Sequence, residues 1–203
     1  MKQGREGGAD PRPLPPGFHD RDAGEVARDL LGAFVVSEVG GVRVVGEIVE
    51  TEAYTGPEDE ASHAAARFGK TQRNAAMFGP AGIAYVYRIY GMHWCLNVVT
   101  GAEGHPAAVL VRAARVVEGA EAAAARRPGR PERDLLRGPG NLCRGMGIDA
   151  ALNFHPLDRA PLRVAAGNAV PDGRVERGPR IGITRAADAP LRFWVRGDPH
   201  VSR

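Results

Sequence analysis

Between the turn-forming pair Gly40-Gly41 and the break at Gly56-Pro57, the run from Val42 to Tyr54 is rich in valine and isoleucine. Branched residues bounded by glycine and proline predict one long strand. Side chains alternate across a strand, so Glu50, Glu52 and Tyr54 share a face. A second alternating run, Tyr85 to Tyr90, reaches a turn at Gly91-Met92 and returns through Trp94 to Val99, which predicts a hairpin. These two pieces commit much of the chain to a sheet.

The rest is read around them. Asp22 caps a helix carrying Val26, Leu30 and Leu31 on one side, and Gly32 stops it. Residues 55–82 read as irregular, broken by Gly56-Pro57, Gly69 and Gly79-Pro80. Ala107 to Val111 reads as a strand with Arg112 at its end, and Val117 to Arg127 as an alanine-rich helix. Gly138-Pro139 opens a helix through Met146. Ile181, Ile183, Leu191, Phe193 and Val195 are strand-like apolar positions. Residues 1–15, rich in glycine, proline and charge, read as a disordered tail. The expectation is an α+β fold: a single mixed domain over residues 16–203, with a curved, mainly antiparallel sheet, a protruding hairpin and a few helices.

Composition excludes several function classes. No apolar run approaches membrane-spanning length, and the N-terminus lacks the apolar core of a secretory signal, so the protein is expected to stay in the cytoplasm. Cys95 and Cys143 match no metal spacing and read as reduced, buried thiols. No histidine–carboxylate cluster has ligand spacing, so neither metal nor cofactor is expected. Net charge is +3 and only Lys2 and Lys70 are lysines among 27 basic residues. Arginine's forked donors suit phosphate, and Arg73, Arg88 and Lys70 are candidate phosphate contacts of low specificity.

Chemistry is concentrated in one stretch. All four tyrosines, Tyr54, Tyr85, Tyr87 and Tyr90, lie between residues 54 and 90, although aromatic residues are only 6% of the chain. A flat aromatic slot beside a carboxylate can hold a nucleobase and cut the bond behind it. Glu52 at the strand end can take a proton from water. Tyr85 and Tyr87 also fit simple core packing. Tyr90, at the turn, would project outward, and on DNA such a ring can wedge between base steps. A nucleic-acid-binding module without catalysis needs Tyr90 but not Glu52; a hydrolase of free nucleosides needs Glu52 but no wedge.

The stretch from Gly46 to Asn97 resembles the alkyladenine (3-methyladenine) DNA glycosylases. The resemblance is carried by Glu-Thr-Glu-Ala-Tyr at 50–54, His63, Arg73-Asn74, Met77-Phe78 and Tyr-Val-Tyr-Arg-Ile-Tyr-Gly-Met at 85–92. It continues through Val-Leu-Val-Arg at 109–112, Gly-Pro-Gly-Asn-Leu-Cys at 138–143 and Pro-Leu-Arg-Phe-Trp-Val-Arg-Gly at 190–197, and so covers nearly everything after residue 17. It implies that Glu52 activates water, with Arg112 and the backbone carbonyl of Ile181 positioning it. It implies Tyr54, His63 and Tyr87 as walls around a flipped base, and Asn97 as the side chain that crowds normal guanine. Tyr90 would fill the gap in the duplex, with Gly91 and Met92 along the same hairpin and Arg73 on the backbone. The implied partner is duplex DNA containing damaged purines, met by a monomer. His93 departs from the aromatic residue that several relatives carry there.

Overall fold

The structure, a computed structural model, describes residues 10–62 and 69–202. One antiparallel sheet of nine strands among these residues organises the chain. Its axis is β2, Val44–Tyr54, the long strand expected from the sequence. One edge of β2 pairs with β5, Ala107–Glu118, along nearly its full length. The other edge is shared by two short strands: β1, Phe34–Ser37, takes Val44 to Glu47, and β9, Arg192–Val195, takes Glu50 to Glu52. Outward from β5 follow β4, His93–Thr100, and β3, Ala84–Ile89. Beyond β1 lie β7, Leu162–Ala165, and β6, Asp158–Arg159, while β8, Val175–Gly178, covers β9. The sheet curls into a half-barrel, in accord with the expected α+β fold.

Side-chain parity divides the two faces of β3, β4, β5 and β2. Ala53, Val86, Leu96, Val98, Val109 and Val111 enter the main core. Against them pack helix α1, Ala23–Asp29, through Val26 and Ala27, and α3, Pro139–Met146, through Leu142, Cys143 and Met146. Asp22 caps α1 as expected, its carboxylate accepting from the amides of Gly24 and Glu25. Burying these aliphatic side chains contributes roughly 1.5–3 kcal/mol each. The residues between them point the other way. Tyr85, Val99 and Ala108 form a second, smaller cluster with Met77 and Ile83. The functional side chains stand on that second face.

Three expectations are corrected. β5 does not end before Arg112 but continues to Glu118, and helix α2 starts only at Ala120, running to Arg126. Pairing down to Val45–Glu118 draws Val117 and Glu118 into the strand, and the alanine-rich stretch beyond Gly119 forms the helix. The hairpin loop is one residue longer than the expected Gly91-Met92: Ile89 pairs with His93, so Tyr90 joins the turn, and Tyr90 (φ 51°) and Gly91 (φ 69°) both take positive φ. Ile181 and Ile183 belong to no strand; they lie in the loop after β8, where Gly182 takes φ 76°. Of the segment read as a tail, residues 1–9 lie outside the described residues. Residues 10–15 run beside β7, where Pro13 bridges Ala165 and Asp10 pairs with Arg43 and Arg163.

Candidate active site

Strand register assembles the site. Glu52 stands opposite Leu110, Leu110 opposite Asn97, and Asn97 opposite Tyr85, a row running across β2, β5, β4 and β3. One step along, Tyr54 faces Ala108 and Tyr87 faces Cys95. Arg112 arrives by a different device. Glu50 pairs with Ala113 and Thr51 with Val111, so Arg112 is the extra residue of a β-bulge. A bulge re-aims its side chain, and here one guanidinium spans two carboxylates. Its Nε donates to Glu50 at 3.1 Å, and its Nη1 lies 3.2 Å from Glu52.

Glu52 and Glu50 are both fully buried. Each unpaired buried carboxylate would cost several kcal/mol, and each is accordingly surrounded by donors. Glu52 accepts from the Ile181 amide at 2.7 Å and from the Tyr54 hydroxyl at 3.1 Å, besides its ion pair with Arg112. Glu50 accepts from Arg192 at 2.7 Å and from the Ser202 amide and hydroxyl at 2.6 and 3.0 Å. Burial works against the charge of Arg112, but Glu52 and Glu50 outweigh it and hold its pKa above the ordinary arginine value. Burial first, and the Glu52 charge second, push the Tyr54 phenol well above its usual range. Burial likewise pushes Tyr85 up to about 12, Tyr87 well above 10, and the Cys95 thiol up to about 11. At neutral pH the tyrosines present neutral phenols and the cysteine a thiol.

Above this floor opens a cavity of about 600 Å³, lined among others by Tyr54, Tyr85, Tyr87, Asn97, Arg112 and Ile181. Glu52 lies one layer behind the wall, and the three groups that contact it all line the cavity. Tyr85 and Tyr87 stack at 5.1 Å with a 25° interplanar angle. Asn97 is fixed by donating to the Tyr85 carbonyl at 3.0 Å. Arg73 sits at the rim, donating to the Arg88 carbonyl at 2.8 Å, with its guanidinium 5.9 Å from the Tyr87 ring. Tyr90 and Met92 stand outside at the hairpin end, 81% and 68% exposed.

The structure thus brings together Glu52, Arg112, Tyr54, Tyr87, Asn97, Ile181 and Arg73. Tyr90, Gly91 and Met92 share one exposed turn, and His63 lies outside the described residues. Ile181 reaches Glu52 through its amide, where the expectation concerned its carbonyl. Two supporting groups escaped sequence reasoning. One is the Glu50 cage, for which the shared parity of Glu50 and Glu52 was the only signal. The other is Arg180, which forms a two-pronged pair with Asp59 (Nη2 to Oδ1, 2.8 Å), donates to the Ala53 carbonyl at 2.8 Å, and lies 4.8 Å from the Tyr54 ring centre. It ties β2, the 55–62 segment and the Ile181 loop together. No motif marks it.

A buried carboxylate beneath an aromatic slot is the arrangement of an enzyme acting on a flat, base-like group. Comparison with known proteins agrees. Residues 17–199 match the family model described as methylpurine-DNA glycosylase. A Myxococcus xanthus protein named "Putative 3-methyladenine DNA glycosylase" is 51% identical over 94% of this chain and 93% of its own length. Proteins of the same name from Carboxydothermus hydrogenoformans and Rhodopseudomonas palustris are 46% and 49% identical over 94% of this chain, covering 98% and 90% of theirs. The chain belongs to the methylpurine-DNA glycosylase family. It is, as a member, a DNA glycosylase: a hydrolase of the N-glycosyl bond in base-excision repair. Among the described residues, no helix is long and apolar enough to cross a membrane.

Proposed function

We propose that this enzyme, working as a monomer, flips alkylated purines of the 3-methyladenine and 7-methylguanine type out of duplex DNA and hydrolyses the bond to deoxyribose, without cutting the strand. The observation that carries the reading is Glu52, fully buried and held by Tyr54, Arg112 and the Ile181 amide behind a tyrosine-lined cavity.

Each step has a physical source. Extruding a base costs about a few kcal/mol, and stacking on aromatic rings returns roughly 1–3 kcal/mol per base. Tyr54 and Tyr87, with His63, supply those faces, and Tyr90 fills the gap left in the duplex. A purine methylated at N3 or N7 is a cation, and the rings favour it over a normal base by a further roughly 0.5–2 kcal/mol. Asn97 crowds the edge of normal guanine. The cationic base leaves with the electron pair of the glycosidic bond, and the sugar passes through an oxocarbenium-like state. Glu52 takes a proton from the attacking water, whose oxygen bonds to the sugar carbon; Arg112 and the Ile181 backbone hold both in place. The products are free base and an abasic site. In the structure as it stands Glu52 is fully covered, so DNA binding has to open a path from the cavity to its carboxylate, where the Tyr54 hydroxyl now sits.

Strand cleavage by a glycosylase needs an amine to form a Schiff base. Only Lys2 and Lys70 offer a lysine amine; Lys70 is not among the residues that line the cavity, and Lys2 lies outside the described residues. Product analysis of methylated duplex tests the whole reading. The expected outcome is released methylated purine with the phosphodiester chain intact and no adduct trapped by borohydride. Release of no base, or a trapped adduct, contradicts it.

A further inference from the structure

Gly138, Pro139 and Gly140 form a narrow rim between two hollows. Pro139 lines the tyrosine cavity. Arg137 and Asn141, on either side of the rim, line a second crevice of about 380 Å³ together with Arg127, Arg130, Asp134 and Ser202. The rim touches the hairpin: a Cβ added to Gly140 would lie 3.0 Å from the Cβ of His93. Ser202 joins the crevice to the buried network, its hydroxyl 3.2 Å from Arg112 Nη2. The crevice therefore adjoins both the place of chemistry and the base of the exposed turn.

Its charge is unlike that of the rest of the molecule. Residues 126–144 hold six arginines against Glu132 and Asp134, a surplus of four positive charges, whereas the whole chain carries +3. Everything outside this segment is therefore net negative by one. Within the crevice three guanidinium groups meet a single carboxylate. Arg137 shares that carboxylate at 3.3 Å and donates to the Val201 carbonyl at 2.9 Å. Arg127 is held by the backbone carbonyls of Asp134 and Leu135. Burial, then Arg130 and Arg144, depress the Arg127 pKa below the ordinary arginine value. Arg130 stands exposed at the mouth. Gathering like charges on backbone carbonyls raises the free energy of the crevice, and an anion relieves it. Forked guanidinium donors match a phosphate group.

We propose that this crevice binds a backbone phosphate of the duplex whose damaged nucleotide occupies the tyrosine cavity, an inference that rests on the function proposed above. It gives the enzyme a grip on DNA across the rim from Arg73, made by residues other than those that read the base.

The test is the salt dependence of binding to a short duplex, followed by fluorescence anisotropy. Removing one arginine–phosphate interaction lowers the slope of log affinity against log salt by about 0.9. The double variant Arg130→Ala/Arg137→Ala, which removes the grip on that one phosphate, is expected to lower it by about 0.9. It should weaken damaged and undamaged duplex by the same factor, because phosphate contacts carry no sequence information. Arg159→Ala, an exposed arginine paired with Asp158, should leave the slope unchanged. An unaltered slope in the double variant overturns the assignment. Should removal of the Arg137 bonds prevent folding, Arg130→Glu alone decides: a slope reduced by about 1 or more supports the site, and an unchanged slope overturns it. A crevice that took free phosphate without serving DNA would show inorganic phosphate raising the wild-type Tm while the variants keep the DNA slope, and that result also overturns it. Wild-type protein that fails to bind duplex at all would sink the proposed function instead.

Discussion

Glu52 and Tyr90 belong to one proposed reaction and have opposite surroundings. Glu52 is fully buried and met by three donors; behind it Glu50 is met by Arg112, Arg192 and Ser202. Tyr90 is 81% exposed, on a turn with positive φ. A group that must act on a developing charge gains from fixed dipoles in a water-poor site, where no reorganisation is needed during reaction. A group that must enter another molecule cannot be satisfied in advance. Positive φ at a bulky residue is uncommon, and here it holds the ring clear of the protein. The contrast separates preorganised chemistry from a contact completed only by the partner.

Substitutions should divide along the same line. Removing a carboxylate from the buried side should produce the largest effect on stability. Glu50→Ala leaves Arg112 and Arg192 facing each other without their anion, and should destabilise the fold by about 3–5 kcal/mol, read by denaturant melts. A loss below about 1 kcal/mol would mean that the network is not what fixes Arg112. Arg180→Met comes next. It removes the tie among β2, the 55–62 segment and the Ile181 loop, and leaves Asp59 unpaired. A loss of about 2–3 kcal/mol is expected, with a drop in base release exceeding what the remaining folded fraction explains. Equal losses of fold and activity would make Arg180 a stability element only.

On the exposed side the order of effects reverses. Tyr90→Ser should change stability by less than about 0.5 kcal/mol, yet reduce base release from duplex by about 10-fold or more, since one aromatic stack is worth roughly 1–3 kcal/mol. Undiminished activity on duplex would favour a hydrolase of free nucleosides. The smallest effect lies away from both regions. Burial pulls the pKa of His19 from 6.5 down to about 4. The folded state therefore binds fewer protons than the unfolded chain between those values. Its contribution to stability is complete above pH 6.5 and declines as pH falls toward 4. Thermal melts across that window should show the decline, and His19→Gln should flatten it.

The sequence was most legible where periodicity and position coincide. Parity alone puts Glu52 and Tyr54 together, and the β3–β4 hairpin follows from alternation around a glycine. Arg112 was reachable only through family resemblance, because its placement depends on a bulge set by how β2 and β5 pair. The end of its strand was also misread: Val117 and Glu118, expected at the start of the alanine-rich helix, belong to β5, and the helix begins at Ala120. The Glu50 cage draws Arg192 and Ser202 from segments more than 140 residues away in the chain. Arg180 and Asp59 meet 121 residues apart. Such contacts leave no local pattern, since what joins the residues is the closure of the sheet.

The central claim is that the enclosed carboxylate performs the chemistry while the duplex is gripped elsewhere. The most direct test compares Glu52→Gln with wild type on methylated duplex, measuring both affinity and single-turnover release of methylpurine. The account predicts affinity within about twofold of wild type and release slowed by about 10²–10⁴-fold, the range assigned to a general base. Release at the wild-type rate by the Gln variant would contradict it.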